Sequence, residues 1–455
     1  MSNNPTSLRI LDPGIRSLFS LESRWQAWLD VEVALAWAEA ELGVIPHDAA
    51  AEIAAKAKLE LLDRARIDEG LRRTAHPLVP LVWELSRICA GDAGHYVHWG
   101  ATTQNIVQTG DLLILRRVHA VFLRQIAAIL RDMADLAERS RDMALPGRTH
   151  GQHAVPATFG FKVGVWIDEL CRHGERLGGV ESRIFRAMLG GAAGTFASFD
   201  TKGPEIQARM AAHLDMAPMD VPARTIADHQ AEYVTILGLL AATCGKIGRE
   251  IYTLMKQEFG EAEEPVPPGT VGSSTMPQKR NPKLSQDIVA MSAELRALVP
   301  LALEAMLTEH EADRTTSLMM QHAMEQACGL TGDILARLQV MIAGLQINPV
   351  RMRRNLDLSG GLIMAEALML SLGAHIGRQE AHDAIYDAAQ EAATGGQSFA
   401  TLLAQNQTVT AHLGADDIAR LLDPAAYLGE CAQIASDQAA RARKIAAEIG
   451  EIHGT

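Results

Sequence analysis

A chain of 455 residues with a formal charge of -13 and no block of lysine and arginine is unsuited to holding nucleic acid or an anionic membrane surface. Hydrophobic residues make up 48% of it, enough for a sizeable core without staples. Its five cysteines are scattered, odd in number and never spaced C-x-x-C, MSNNPTSLRI has no apolar leader, and no uncharged run spans a bilayer, which together give a cytoplasmic expectation.

In chain order, the pattern predicts a helix at Arg24 to Leu42 and another near Asp48 to Lys58, then a polar stretch rich in histidine that includes His76 and His98. HWGATTQN, residues 98–105, opens a long helix with Thr102, Thr103 and Asn105 near its first turn. Such side chains cap any helix, and with free backbone N–H groups they also seat a carboxylate. From Leu112 to Met143 apolar residues recur three and four apart without proline or glycine. Similar patterns run from about Phe159 to Arg186, Ala227 to Phe259, Lys283 to Glu309 and Thr316 to Leu345. Rods of this length bury their apolar faces only against each other, as a long bundle.

Two polar segments interrupt the rods. GRTHGQHAVP, residues 147–156, ends one long helix and begins the next, with His150 and His153 three apart and no further ligands at zinc spacing. GEAEEPVPPGTVGSSTMPQKRNP, residues 260–282, holds five prolines, far more punctuation than a connection needs. It is either a surface loop with a basic Lys279-Arg280 pair or a functional lid, where a serine hydroxyl, an ammonium and a carboxamide stabilise a forming anion. Beyond Asn348-Pro349 spacings tighten and glycine pairs appear at 360–361 and 395–396, and no strand alternation, repeat or low-complexity tract stands out. The expected organisation is all-α: an N-terminal helical domain at 1–107, a central long-helix bundle at 108–349 with a mobile loop at 260–282, and a C-terminal helical domain at 350–455.

Six blocks in this order carry a resemblance: LESRWQAWLDVEVALAWAEAELGVIP, HWGATTQN, GRTHGQHAVPATFG, GSSTMPQKRNP, RRNLDLSGGLIMAEA and RLLDPAAYLG. Together they resemble the aspartase/fumarase superfamily, in the branch of adenylosuccinate lyase and 3-carboxy-cis,cis-muconate cycloisomerase. The resemblance implies three helical domains, a homotetramer with a twenty-helix core, active sites built from three chains, a small dicarboxylate substrate, and no metal or organic cofactor. It also implies roles. Ser273 is the general base, six residues ahead of Lys279; Lys279 and Asn281 hold the aci-carboxylate; His150 protonates the leaving group. Thr102 and Thr103 seat the substrate, with Asn105, Ser274, His76 and His98 beside it, and His153 is structural. A serine is a poor base at its free pKa, so loop closure must desolvate it and surround it with donors.

The departures concern the substrate. Bacterial cycloisomerases of this branch carry tryptophan where this chain has His150, and an amine leaving group, unlike a lactone carboxylate, needs a proton. The glutamate that orients this histidine elsewhere is replaced by Gln286, which accepts a hydrogen bond but does not stabilise imidazolium. The arginines that grip a nucleotide phosphate are missing: Met320-Gln321, Met364-Ala365-Glu366 and Ile226-Ala227-Asp228-His229 stand in their places. The cycloisomerase's His-Glu-Arg is here His310-Glu311-Ala312, leaving Arg224 and Arg314 as replacement charges or as loose surface arginines. The expectation is a lyase that cleaves the carbon–nitrogen bond of a small N-substituted aspartate to fumarate and an amine. A cycloisomerase on carboxymuconate, adenylosuccinate cleavage and a non-enzymatic binding protein are the alternatives.

Overall fold

The computed structural model describes residues 5–266, 269 and 275–453. Ser273 and Ser274 lie outside the described residues. Nearly every element is helical: α1 at Leu21–Glu41, α2 at Thr103–Arg139, α3 at Phe159–Ile184, α4 at Asp228–Leu254, α5 at Lys283–Glu304, α6 at Arg314–Ala343 and α7 at Cys431–His453, with shorter helices between them. The five long rods α2 to α6 are those the apolar spacing predicts. Among the described residues no single helix is long and apolar enough to cross a membrane.

Two local features matter. The apolar spacing is continuous only from Leu112, but α2 begins at Thr103, within the first turn that HWGATTQN marks, and its polar start is held by a side chain: Asn105 Oδ1 accepts the Thr102 N–H at 3.1 Å. The segment expected to join two helices directly instead forms a hairpin, β1 at Ala144–Thr149 paired antiparallel with β2 at Gln152–Thr158. Its two turn residues, His150 and Gly151, both have positive φ (52° and 76°), the twist that joins tight hairpin strands.

Contacts divide the chain into two units, to each of which every long rod contributes a part. Unit 1 comprises residues 1–124, 173–242 and 291–336. Its core gathers Trp25, Trp28, Leu29 and Leu35 of α1 with Leu81, Leu85, Phe199 and Met210. The apolar stripe of α1 meets the start of α2 so closely that a Cβ on Gly110 would fall 2.5 Å from Trp28 Cδ1. Glycine is needed there for contact rather than for backbone freedom. Emptying a site like Trp25 costs about 3–5 kcal/mol.

Unit 2 comprises residues 125–172, 243–290 and 337–455. Its C-terminal core packs Leu368 and Leu372 of the helix Ala365–Ile376 against Ile385, Phe399 and Leu403. Gly160, in the first turn of α3, sits so close to the end of α2 that a Cβ would fall 2.5 Å from the Arg141 Cα, and its N–H donates to the Ser140 carbonyl at 2.9 Å. That contact fixes the base of the hairpin and so the position of His150 at its tip.

Candidate active site

Unit 1 carries His76, His98, Thr102, Thr103 and Asn105. His98 is held in the left-handed region (φ 63°) with its Nδ1 2.6 Å from Oε1 of Glu32, a carboxylate buried on α1. Burial pulls the His98 pKa down, but the Glu32 charge and hydrogen bond outweigh it and the net direction is up. Glu32 therefore favours the imidazolium form of His98. His76 is the opposite case. Its Nδ1 accepts the backbone N–H groups of Leu78 at 3.2 Å and Val79 at 3.4 Å, which keeps that nitrogen unprotonated and leaves Nε2 as the donor. Burial, then Arg314, then His98 lower its pKa. The following Pro77 carbonyl is held by Trp25 Nε1 at 3.1 Å, so the core itself positions this histidine.

Thr103 is the first residue of α2 and, with His76, lines a cavity of about 410 Å³. Asn105 is completely buried; its Oδ1 accepts from Thr102 and, at 3.1 Å, from the Gly191 N–H. Its carbonyl therefore builds the turn, and only its Nδ2, buried without a partner among the described residues, is left for another task.

Unit 2 carries His150, Lys279, Asn281 and Gln286. His150 is exposed at the hairpin tip. Below it Arg148 makes a two-point ion pair with Glu261, Nη2 to Oε1 at 2.5 Å and Nη1 to Oε2 at 3.0 Å, over the ring of Phe259. Asn355 Nδ2 donates to the same Glu261 Oε1 at 2.7 Å and to the Phe259 carbonyl at 2.9 Å. Glu261 is fully buried, so removing one partner of this pair costs about 3–5 kcal/mol. His153, on β2 opposite Arg148 in the register, has its pKa lowered by burial and then by Arg148.

The loop predicted to be functional is 260–282, of which 267, 268 and 270–274 lie outside the described residues. Glu264, near its start, accepts three bonds from the residues just beyond its end: the N–H of Leu284 at 2.9 Å, the N–H of Ser285 at 3.0 Å and the Ser285 hydroxyl at 2.9 Å. The loop thus leaves and returns at one point, and the same carboxylate satisfies orphan donors in the first turn of α5. Lys279 is exposed on the returning limb, its N–H bonded to the Met276 carbonyl at 3.1 Å, and the Asn281 carbonyl accepts from Lys283 N at 2.9 Å. Gln286 is exposed in the first turn of α5. Chemically, unit 1 offers two imidazoles and a helix start, and unit 2 offers an ammonium, a carboxamide and an imidazole. Neither unit by itself contains the whole predicted set.

The family model described as Lyase matches residues 10–296, and the one described as Adenylosuccinate lyase C-terminus matches residues 361–437. The chain belongs to the aspartase/fumarase superfamily. It is an enzyme of the lyase and cycloisomerase kind found there. Among its relatives in the superfamily, the N-acetyl-S-(2-succino)cysteine lyase of Dickeya dadantii is 36% identical over 92% of both chains. The 3-carboxy-cis,cis-muconate cycloisomerase of Pseudomonas aeruginosa is 38% identical over 91% of both. A solved fumarate lyase from Mesorhizobium sp. BNC1 superposes with a TM-score of 0.88 at 35% identity, covering 94% of this chain and 98% of that one.

Three residues that hold these segments in place, Glu32, Arg148 and Glu264, lie outside the sequence-based expectation. Glu32 left a signal, a carboxylate in the middle of an apolar stripe, but its partner lies 66 positions away. Arg148 sits inside the histidine motif and was overshadowed by it. Glu264 was one of several acidic residues at the loop entrance, with nothing to single it out.

Proposed function

We propose that the enzyme is a cofactor-free β-elimination lyase that breaks the bond between a succinyl carbon and a heteroatom and releases fumarate. The observation that carries this reading is the clasp of Glu264 on Ser285, which ties the chain just before the motif-bearing loop to the first turn of α5 just after it, the turn that follows Lys279 and Asn281. In this scheme Ser273 removes the proton beside a carboxylate, and the doubly charged aci-carboxylate is held by Lys279 and Asn281. Thr102 and Thr103 seat the second carboxylate at the start of α2, and His150 delivers a proton to the departing atom.

Sulfur is the leaving atom that the hairpin supports best. Gln286 stands where the resemblance places the glutamate that orients His150, and it brings no negative charge to that place. A thiol, with a pKa of about 8.5, departs with little proton help, whereas an amine needs the proton delivered. The similarity to an enzyme named for a succinyl thioether supports the same choice. The carbon–nitrogen reading is second, favoured by the retention of His150 itself. The enzyme is further proposed to act in the cytoplasm as a homotetramer with each active site completed by three chains. Exposed Leu239, Leu303, Leu318 and Val340 on the long rods support association, and Cys89, Cys171, Cys244 and Cys328, buried thiols outside any disulfide, suit a reducing compartment. The test is fumarate release from succinyl thioethers and succinyl amines, with Ser273→Ala as the control; turnover of neither class refutes the reading.

A further inference from the structure

The cavity of unit 1 that His76 and Thr103 line is also lined by Gln104, Gln108, Arg224 and Arg314. The carboxylates on its wall are accounted for. Arg24 pairs with Glu325 and lies 3.7 Å from Asp111, and Asp313 accepts the Thr315 N–H at 2.8 Å where α6 begins. Two arginines of the same wall have no such neighbour. Arg224 is half-buried; its Nε donates to Gln104 Oε1 at 2.8 Å and its Nη1 to the Ala192 carbonyl at 3.2 Å, both neutral acceptors, and no carboxylate pairs with it among the described residues. Burial lowers its pKa, as it must for a cation withdrawn from water without a counter-charge. Arg314, the first residue of α6, likewise has no carboxylate partner among the described residues.

A third observation lies on α2. Gln108 is 9% exposed, and its Nε2 is buried without any acceptor among the described residues. A withdrawn guanidinium and a buried amide donor are both unfavourable until an anion with lone pairs to spare arrives. Met320 and Gln321, which line the same cavity, add no charge of their own. The wall therefore offers two forked donors, enough for a planar carboxylate.

We propose that this cavity seats a carboxylate carried by the leaving group, with Arg224 and Arg314 as specificity-determining residues and Gln108 as a further donor. This seat rests on the lyase reading above and narrows its substrate class: a succinyl thioether or amine whose departing half carries an acid of its own.

The test compares two thioethers on the full-length enzyme, the succinyl adduct of mercaptopropionate and the succinyl adduct of mercaptoethanol, which lacks the third carboxylate. Binding is measured by calorimetry in the Ser273→Ala background. The carboxylate-bearing adduct is expected to bind at least about tenfold more tightly, a preference that shrinks below about threefold in Arg224→Gln and in Arg314→Gln. Arg224→Lys, which keeps the charge and loses the fork, is expected to retain part of the preference and so guards against a folding defect. Equal binding of the two adducts, or a preference that survives both glutamine substitutions, overturns the seat. Fumarate release by the unsubstituted enzyme is read separately: if the preference holds and neither adduct is cleaved, the seat stands and the lyase reading falls.

Discussion

Glu264 and Ser285, 21 residues apart, are joined twice, by the backbone N–H of Ser285 at 3.0 Å and by its hydroxyl at 2.9 Å. One buried carboxylate thereby closes the loop on which the proposed base and oxyanion donors ride, and starts helix α5. Replacing Glu264 by alanine leaves buried donors unsatisfied, at about 1–3 kcal/mol. The expected outcome is a lower melting temperature together with a kcat loss of about tenfold or more, because the loop loses its common anchor. Glu264→Gln, which keeps one acceptor, is expected to fall between. Thermal denaturation and steady-state kinetics on the two variants check this, and an unchanged kcat in Glu264→Ala contradicts it.

Glu32 supports the charged form of His98. His98 has a raised folded pKa, so the pair contributes stability that is fully present below the ordinary histidine value of 6.5 and is lost as pH rises through the folded value. In Glu32→Gln only burial remains, and the direction reverses. Proton NMR of the His98 ring is expected to show titration above 6.5 in the unsubstituted enzyme and below it in Glu32→Gln. The same midpoint in both means that Glu32 is not the cause.

Glu39, one face along α1 from Glu32, is fully buried, and neither carboxylate oxygen has a partner among the described residues. Burial, then Glu32, pushes its pKa up to about 9, from an ordinary 4.5. It is neutral in the folded enzyme at pH 7 and ionised in the unfolded chain, which costs on the order of 3 kcal/mol at 1.36 kcal/mol per unit. Its contribution is best below pH 4.5 and declines as pH rises toward 9. Glu39→Gln, neutral in both states, is expected to raise the melting temperature clearly at pH 8 and hardly at pH 4.5. An equal effect at both pH values refutes the assignment.

His150 separates the two leaving atoms. With an amine substrate, His150→Asn is expected to lower kcat by about 100-fold or more, and with a thioether by less than about tenfold. Equal losses on both would mean that the histidine acts on binding and not on the departing group.

The five rods were legible because each keeps apolar residues three and four apart over many turns, a signal that local chemistry seldom imitates. The start of α2 was legible as well, from the capping residues of HWGATTQN, but the bond by which Asn105 ties Thr102 to Gly191 was not, a pairing that only the fold reveals. The hairpin was invisible for a different reason: Pro146, Gly147 and Pro156 break the alternation of its strands, its register shifts between Pro146 and Arg148, and His-Gly stands at a turn usually marked by Asn-Gly. The loop motif was legible residue by residue. The clasp of Glu264 on Ser285 was not, and neither was the pairing of Glu32 with His98, since no local spacing connects partners so far apart in the chain.

The most direct measurement is the ultraviolet absorbance of fumarate after mixing the purified enzyme with a panel of succinyl thioethers, succinyl amines, adenylosuccinate and carboxymuconolactone. The account predicts fumarate from a succinyl thioether or amine whose departing half bears a carboxylate, and its loss in Ser273→Ala. Turnover of the lactone alone, or fumarate release that persists without the Ser273 hydroxyl, contradicts it.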